Sequence, residues 1–245
     1  MFEGNGSFDG PKPVRLLRRL LMLANTGPDD IILDFFSGSA TTAHAVMQLN
    51  AEDSGNRRFI MVQLPEVCDE KSEAAKAGYA NICEIGKERI RRAGTKIKEA
   101  AGLMADSLDT GFRVFRLDTS NLKIWDNTHT ADTEEVFQHM MGMLEILKPD
   151  RSDEDVVWEV MLKLGQELDT EIVPLDINGK TVFGVGQEVL FIVCLAQNIT
   201  AEDAEAMAEY APGRIVFTDL CFSSSSDKAN VRHTLDSRGI TIKLL

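Results

Sequence analysis

The most constraining feature of this sequence is an apolar run that ends in an acid and leads directly into small and hydroxylated residues. It extends from Ile31 to Val46, with Asp34 as the acid. The pattern predicts a buried strand, a tight turn and the start of a helix. A turn of this kind lies at the carboxyl edge of a parallel sheet, where free backbone N–H groups favour an anionic ligand. Ordinary strand-to-helix packing without a ligand is the alternative.

The flanking segments predict that this turn belongs to a parallel α/β unit. The apolar spacing over Val14–Ala24 predicts an amphipathic helix. A second apolar run, 57–66, predicts a buried strand that ends at Pro65. The order helix, strand, helix, strand is that of a βαβ unit. A long helix is predicted over Tyr79–Ala100. Its basic side carries Arg89, Arg91, Arg92, Lys96 and Lys98, and because acids are interleaved with them we interpret this side as a solvated face rather than a nucleic-acid-binding one.

Length, cysteines and hydropathy indicate an ordinary globular protein. With 245 residues, 44% of them hydrophobic, the chain can bury one large or two small cores. Its four cysteines form neither a Cys-x-x-Cys pair nor a zinc spacing, so we expect them to be reduced and buried. No apolar run is long enough to span a membrane. We therefore expect a soluble, cytoplasmic protein without a metal site or a membrane partner.

The net charge of −13 is unevenly distributed along the chain. Residues 1–105 carry 14 basic and 14 acidic side chains, whereas residues 106–245 carry 12 basic and 25 acidic ones. An acidic surface repels phosphate groups, so residues 106–245 are a poor candidate for electrostatic binding of nucleic acid. Its expected partners are proteins.

The second part of the chain predicts a separate α/β domain. Gly102–Ser107 is a predicted linker, and the alternation over Phe112–Leu117 predicts a strand. Helices are predicted at 133–147 and 153–168, with Ser152 as the N-cap of the second. The later elements are predicted as strands at 171–175, 181–185, 188–195, 214–220 and 240–245, and helices at 201–210 and 226–237.

Short motifs add detail to this outline. Asn178–Gly179 predicts a two-residue hairpin turn, and Thr200 with Asp203 predicts a helix N-cap with an acid in the first turn. Gly184-Val185-Gly186 resembles the start of a dinucleotide fingerprint, but the third glycine is missing and a strand follows, so a hairpin turn is predicted instead. The sequence contains neither a phosphate-binding loop nor a nucleophile elbow, and we assign no catalytic residue.

Three stretches together resemble the cofactor-binding half of amino-group DNA methyltransferases. They are Pro11-Lys12-Pro13, the turn from Asp34 to Thr42, and the run from Arg58 to Glu66. Their order is similar to that of the permuted (beta) group, in which the cofactor motifs follow the catalytic motif. The segment Phe112–Trp125 further resembles the tail of the modification (methylase, Mod) subunit of type III restriction–modification systems. The resemblance therefore covers nearly the whole chain.

The resemblance implies that S-adenosylmethionine binds over the turn. It assigns Asp34 to the methionine ammonium, and Phe36 and Gly38 to the shape of the turn. It assigns Ser39, Thr41 and Thr42 to the methionine carboxylate. The complete set of implied cofactor-binding residues is Lys12, Pro13, Asp34, Phe35, Phe36, Ser37, Gly38, Ser39, Ala40, Thr41, Thr42, Gln63, Pro65 and Glu66.

Two positions depart from the family pattern. The family usually has an acid at the end of the second strand to accept both ribose hydroxyls, whereas this sequence has Gln63, with Glu66 as a substitute. Ala40 stands where the family commonly has glycine, so we expect the backbone at Ala40 to avoid a strained conformation.

The family's catalytic loop has no counterpart in this sequence. That loop, Asp/Asn/Ser-Pro-Pro-Tyr/Phe/Trp, bonds the target amino group of a flipped-out base, and none of the seven prolines here adjoins another. The resemblance places the loop and the target-recognition domain before Lys12. We therefore interpret the chain as the carboxyl-terminal part of an adenine-specific methylase subunit, inactive on DNA by itself.

The predicted fold class is α/β, a partial Rossmann-like methyltransferase domain followed by a second, smaller α/β domain. Residues 1–105 are assigned to S-adenosylmethionine binding, and residues 106–245 to an acidic assembly or dimerisation module. The implied partners are DNA through the complete subunit, another methylase subunit in a homodimer, and a restriction (nuclease/helicase) subunit. Two alternatives stay open, a purely non-enzymatic assembly module and an unrelated nucleotide-binding oxidoreductase that uses NAD.

Overall fold

The computed structural model describes residues 12–123 and 146–245, and the contacts divide the chain into two compact units. Unit 1 is Met1–Val114, and unit 2 is Phe115–Leu245, the longer of the two. Both units mix helices and strands, which confirms the predicted α/β class. The functions assigned to residues 1–105 and 106–245 stay predictions. No helix in the described ranges is long and apolar enough to cross a membrane.

Unit 1 is built on a two-stranded parallel sheet with helices on one face. Its elements are α1 (Val14–Leu23), β1 (Ile31–Asp34), α2 (Thr41–Asp53), β2 (Arg58–Met61), α3 (Glu73–Lys76) and α4 (Ile82–Ala101), then a short 3-10 helix (Gly102–Ser107). β1 and β2 run parallel, with Leu33 opposite Ile60. The βαβ order predicted from the sequence is therefore present.

Helix α2 lies at the centre of unit 1. Its Ala43 and Met47 share one apolar cluster with Ile90 of α4. Its Val46 shares a second cluster with Leu21 of α1. Because α2 packs against a helix on each side, its first turn is held in a fixed place at the end of β1.

The other face of the two-stranded sheet is uncovered in the described residues. Ile31, Leu33 and Ile60 are 49%, 59% and 41% exposed. Side chains alternate along a strand, and Ile32 and Phe59 point the other way, into the cluster beneath α1 and α2. The prediction of fully buried strands was therefore wrong for this face. Parallel sheets normally carry helices on both faces, whereas α1, α2 and α4 pack on one.

Unit 2 contains a five-stranded mixed sheet. Its elements are α5 (Asp153–Lys163), β3 (Ile172–Ile177), β4 (Lys180–Val185), β5 (Phe191–Cys194), α6 (Ala201–Ala208), β6 (Arg214–Phe217), α7 (Ser225–Ser237) and β7 (Thr241–Leu244), with a short 3-10 helix (Asp219–Cys221) before α7. The strands lie side by side in chain order. β3, β4 and β5 are antiparallel neighbours, whereas β5, β6 and β7 are parallel. Helices α6 and α7 supply the crossovers that parallel neighbours require.

Helices cover both faces of this second sheet. Met207 of α6 and Leu235 of α7 pack against Ile215 on one face. Val157 of α5 packs against Val216 on the other. All five side chains are fully buried. Unit 2 therefore has a complete three-layer core of its own.

Several local predictions in unit 2 are confirmed. Asn178 and Gly179 have positive φ angles of 52° and 81°, as a two-residue hairpin turn requires. Ser152 and Thr200 cap α5 and α6, each through a reciprocal capping box. Gly186, with φ of 92°, begins the connection from β4 to β5.

Other predictions were wrong or fall outside the described residues. The segment Phe112–Leu117 alternates in polarity but forms no strand. Helix α5 ends at Lys163 rather than at residue 168, because Gly165 follows with φ of 80°. The helix predicted over 133–147 lies almost wholly in the range that the structure does not describe.

All four cysteines are free. Cys194 and Cys221 are buried in the core beneath α6 and α7, where Cys221 Sγ donates to the Cys194 carbonyl oxygen at 3.2 Å. Cys68 and Cys83 are half-buried. The expectation that every cysteine is buried was wrong for these two, which lie in the segment after β2 and in the first turn of α4.

Candidate functional site

The candidate site is the turn that joins β1 to α2. Gly38 and Ala40 have positive φ angles of 52° and 57°, and Ala40 N donates to Ser37 O at 2.8 Å. The expectation that Ala40 avoids a strained backbone was therefore wrong. The left-handed conformation costs alanine about 1–2 kcal/mol. Ala40 is 2% exposed, and its packing in the cluster between α2 and α4 offsets that strain.

Helix α4 approaches this turn closely at a glycine. A Cβ atom on Gly86 would lie 3.4 Å from the Gly38 carbonyl oxygen and 3.5 Å from Ala40 Cβ. A larger side chain at this position would push against the turn backbone. The turn therefore rests directly on α4.

The carboxylate of Asp34 is tied to both ends of the turn. Its Oδ1 accepts from Phe36 N at 3.3 Å, and its Oδ2 accepts from Thr42 Oγ1 at 2.6 Å. Asp34 is half-buried, and each carboxylate oxygen can accept a further hydrogen bond. The side chain can therefore hold the turn and still receive a cationic donor. The hydroxyl proton of Thr42 is already given to Asp34, which leaves its backbone N–H as the donor for a ligand.

The end of β2 supports the turn from the neighbouring strand. Gln63 Oε1 accepts from Gly38 N at 2.8 Å, and Val62 O accepts from Ser37 N at 3.2 Å. The amide nitrogen of Gln63 donates to Leu64 O at 3.3 Å. The Gln63 side chain therefore shapes the turn, and its amide oxygen and amide nitrogen are each already in a hydrogen bond.

Helix α2 begins without a side-chain cap. Ala40 occupies the N-cap position and has no side-chain acceptor, whereas Asn81 caps α4 through Glu84 N. The first N–H groups of a helix have no acceptor within the helix, and they carry the positive end of its dipole. Thr41, at the first helical position, is 5% exposed. The turn thus presents a carboxylate beside a helix N-terminus with available donors.

Arg89 of α4 is buried behind this turn. It is 8% exposed, and its Nη1 donates to Ser39 Oγ at 2.9 Å. Burial lowers the pKa of Arg89, while its Nε has no acceptor in the described residues. Burial also lowers the pKa of His44 to about 4, with further lowering by Arg89 and Lys96. His44 is therefore neutral at pH 7, and Arg89 is the cation at this position.

The assignment of Arg89 to the solvated side of α4 was wrong. Arg89 follows Ile85 by four residues and precedes Ala93 by four, and both of those side chains are buried. Residues four apart lie on the same helix face. The four-residue spacing of Ile85, Arg89 and Ala93 therefore predicts that Arg89 lies on the buried face of α4.

The remaining predicted site residues are exposed: Lys12, Pro13, Phe35, Phe36, Pro65 and Glu66. The rings of Phe35 and Phe36 are 63% and 79% exposed and lie 5.0 Å apart beside the turn. They offer apolar surface for a flat ligand ring. Within residues 12–123 and 146–245 no cluster of three or more side chains has the composition of a metal site.

Comparison with known proteins first identifies the class of protein to which unit 1 is similar. Residues 3–94 match the family described as DNA methylase. This match contains β1, the turn, α2, β2 and most of α4.

The more specific relatives are modification subunits. The chain is 31% identical to the Mod subunit of the type III restriction–modification enzyme EcoPI from Escherichia phage P1, over 90% of this chain and 33% of that protein. It is 31% identical to the EcoP15I Mod subunit of Escherichia coli, over 89% and 32%. It is 43% identical to the StyLTI Mod subunit of Salmonella typhimurium, over 53% and 19%. The chain is thus a Mod-like relative of type III modification subunits, as the resemblance implied, and spans about a third or less of their length.

Proposed function

We propose that unit 1 binds S-adenosylmethionine at the Asp34–Thr42 turn, as the cofactor-binding part of an adenine-specific DNA methyltransferase of a type III restriction–modification system. The observation that carries this proposal is the pairing of the half-buried Asp34 carboxylate with the uncapped N-terminus of α2. An amino-acid group has one ammonium and one carboxylate. The turn offers a partner of opposite sign to each.

The chemistry of the residues fits this cofactor, which supplies a methyl group on a positively charged sulfur. Asp34 would accept from the ammonium, and the N–H groups at Thr41 and Thr42 would donate to the carboxylate. Phe36, with its exposed ring, would contact the adenine, and Lys12 and Pro13 would close over the methionine end. Because Gln63 is engaged in holding the turn at Gly38 N, whereas Glu66 is exposed and charged, we assign the ribose hydroxyls to Glu66.

We also propose that this chain does not methylate DNA alone. Its sequence contains no Pro-Pro step, which the catalytic loop of this family needs. The exposed apolar face of the β1–β2 sheet agrees with a methyltransferase core that is incomplete in this chain. Transfer of a labelled methyl group from S-adenosylmethionine to DNA by the chain alone would contradict this part of the proposal.

The test is titration calorimetry of the chain with S-adenosylmethionine, with NAD as the control ligand. We expect selective binding of S-adenosylmethionine and a loss of about tenfold or more in Asp34→Ala, because a charged hydrogen bond is removed. Asp29→Ala, which removes the same charge from an exposed position before β1, should bind like the parent chain. Equal affinity in Asp34→Ala would contradict the proposed site. Preference for NAD would favour an oxidoreductase.

For unit 2 we propose a role in assembly. Its complete three-layer core and the 23 acidic against 11 basic side chains of residues 115–245 favour a folded surface that binds proteins rather than phosphate groups. The proposed partners are a second copy of the subunit and a restriction subunit, with DNA bound through the complete subunit. Sedimentation analysis should show dimers of this chain, and a monomer at high concentration would contradict self-pairing.

A further inference from the structure

Arg89 is a buried cation that has no carboxylate partner in the described residues. Its contact is with the neutral hydroxyl of Ser39, at 2.9 Å, and its Nε has no acceptor. A guanidinium carries five N–H donors, and its burial without a counter-charge is costly. An apolar side chain would fill the same space at lower cost. The charge at this position therefore calls for a role beyond packing.

This charge lies directly behind the first turn of α2. Ser39 precedes the N-cap residue Ala40 and is 2% exposed. Its oxygen accepts from Arg89 Nη1. Asp34 instead bonds to Phe36 and Thr42. Arg89 and Asp34 therefore contact different residues of the turn and do not pair with each other.

We propose that Arg89 is a positioning residue for the carboxylate end of the bound cofactor, an inference that rests on the proposed function. By donating to Ser39 Oγ, Arg89 fixes the backbone just before Ala40, the residue with a left-handed conformation at the start of α2. The same contact adds a positive charge behind the helix N-terminus, whose N–H groups would meet the ligand carboxylate. Asp34 takes the ammonium. The turn thereby recognises a zwitterionic amino-acid group with one cation and one carboxylate of its own.

The test compares two nucleosides that differ in that group. S-Adenosylhomocysteine carries the amino-acid group, and 5′-methylthioadenosine lacks it. In calorimetric titrations of the full chain, we expect Arg89→Met to weaken binding of S-adenosylhomocysteine about five- to tenfold. Binding of 5′-methylthioadenosine should stay within about twofold of the parent value. Arg89→Lys, which keeps the charge, should recover part of the lost affinity.

Lys98→Met is the matched control, because it removes a positive charge from an exposed position of the same helix. It should bind both nucleosides as the parent chain does. An equal loss for both nucleosides in Arg89→Met would mean that the residue only supports the fold, and no loss would mean that it has no role in binding. Either result overturns the inference.

Amide hydrogen exchange of the ligand-free chain provides a second, independent measurement. Arg89→Met should accelerate exchange at Ser39–His44, while the amides of β2 and the centre of α4 keep their rates. Unchanged exchange at Ser39–His44 in Arg89→Met would overturn the inference that Arg89 holds the turn in place. Acceleration throughout unit 1, in both Arg89→Met and Arg89→Lys, would also overturn it. If the parent chain bound neither nucleoside, the proposed function would be overturned, and with it the role of Arg89 in binding the ligand carboxylate. Hydrogen exchange would then test only whether Arg89 holds the turn in place.

Discussion

Within unit 2, Glu159 of α5 holds the segment at Ser120 and Asn121 against the helix. Its carboxylate accepts from Ser120 Oγ, from Asn121 N at 2.6 Å, and from Lys163 Nζ at 2.6 Å. Burial raises the pKa of Glu159, but the hydrogen bonds from Lys163, Ser120 and Asn121 outweigh it and lower the pKa to about 2. The ionised carboxylate is therefore the form that the folded state favours.

This contact predicts a pH dependence of stability. Because the folded pKa of Glu159 lies below its ordinary value of 4.5, its contribution is complete above pH 4.5 and is lost as the pH falls towards 2. Glu159→Gln should lower the free energy of unfolding by about 1–2 kcal/mol at pH 7 and by less at pH 3. Urea denaturation at both pH values measures this. Glu154→Gln, at an exposed position of α5, is the control, and an equal loss at both pH values would contradict the prediction.

At the residue scale, part of the candidate site could be predicted from the sequence. Asp34 and Gly38 were identified because a strand that ends in an acid and leads into small residues is a local pattern. The contact of Gln63 with Gly38 N joins residues 25 positions apart, and that of Arg89 with Ser39 joins residues 50 positions apart. Contacts of this range depend on how β2 and α4 pack against the turn, which local spacing does not contain.

Helix α4 shows how an element depends on small residues along one face. Gly86 lets it approach the turn, and Gly94 lets it approach the segment that follows the 3-10 helix. A Cβ on Gly94 would lie 2.9 Å from Thr110 Cβ, which is closer than real Cβ atoms come to a neighbour. Thr110 Cβ is attached to the backbone and cannot rotate away.

Gly94→Ala therefore tests two opposing effects. Alanine gains about 1 kcal/mol over glycine in a helix, whereas overpacking of this kind costs about 1–3 kcal/mol. We expect net destabilisation of about 1 kcal/mol in thermal or urea unfolding. Thr95→Ala, at the exposed neighbouring position, raises helix propensity without a clash and should be neutral or slightly stabilising. A more stable Gly94→Ala chain would show that α4 is not tightly packed against Thr110.

At the element scale, most helices and strands could be predicted because their ends carry local signals. Ser152, Thr200 and Asn178–Gly179 mark the start of α5, the start of α6 and the β3–β4 turn, and all three predictions are confirmed. Phe112–Leu117 shows the limit of this method. Its polarity alternates as in a strand, but no strand forms there, since a strand needs a neighbour to pair with.

At the scale of the whole molecule, the two units differ in how completely their sheets are covered. The unit 2 sheet is buried on both faces by α5 on one side and α6 and α7 on the other. The unit 1 sheet has Ile31, Leu33 and Ile60 on an exposed face in the described residues. Contiguous apolar surface of this kind favours association with other proteins or with itself.

Leu33→Lys tests the exposure of that face. Because Leu33 is 59% exposed, the substitution should change the free energy of unfolding by no more than about 0.5 kcal/mol. It should lower the fluorescence of a hydrophobic dye that binds to this face. Ile32→Lys, on the opposite face and packed beneath α1, should instead unfold unit 1. Unchanged dye binding in Leu33→Lys would indicate that the face is covered.

The arrangement of the cysteines has a practical consequence for following this protein in solution. A thiol reagent added to the native chain reaches Cys68 and Cys83 of unit 1, while Cys194 and Cys221 stay inaccessible inside unit 2. Burial raises the pKa of Cys83, which slows its reaction with the reagent. The number of modified thiols, followed over time, therefore reports whether unit 2 has opened. Two early modifications report on the native chain, and two late ones record the opening of unit 2.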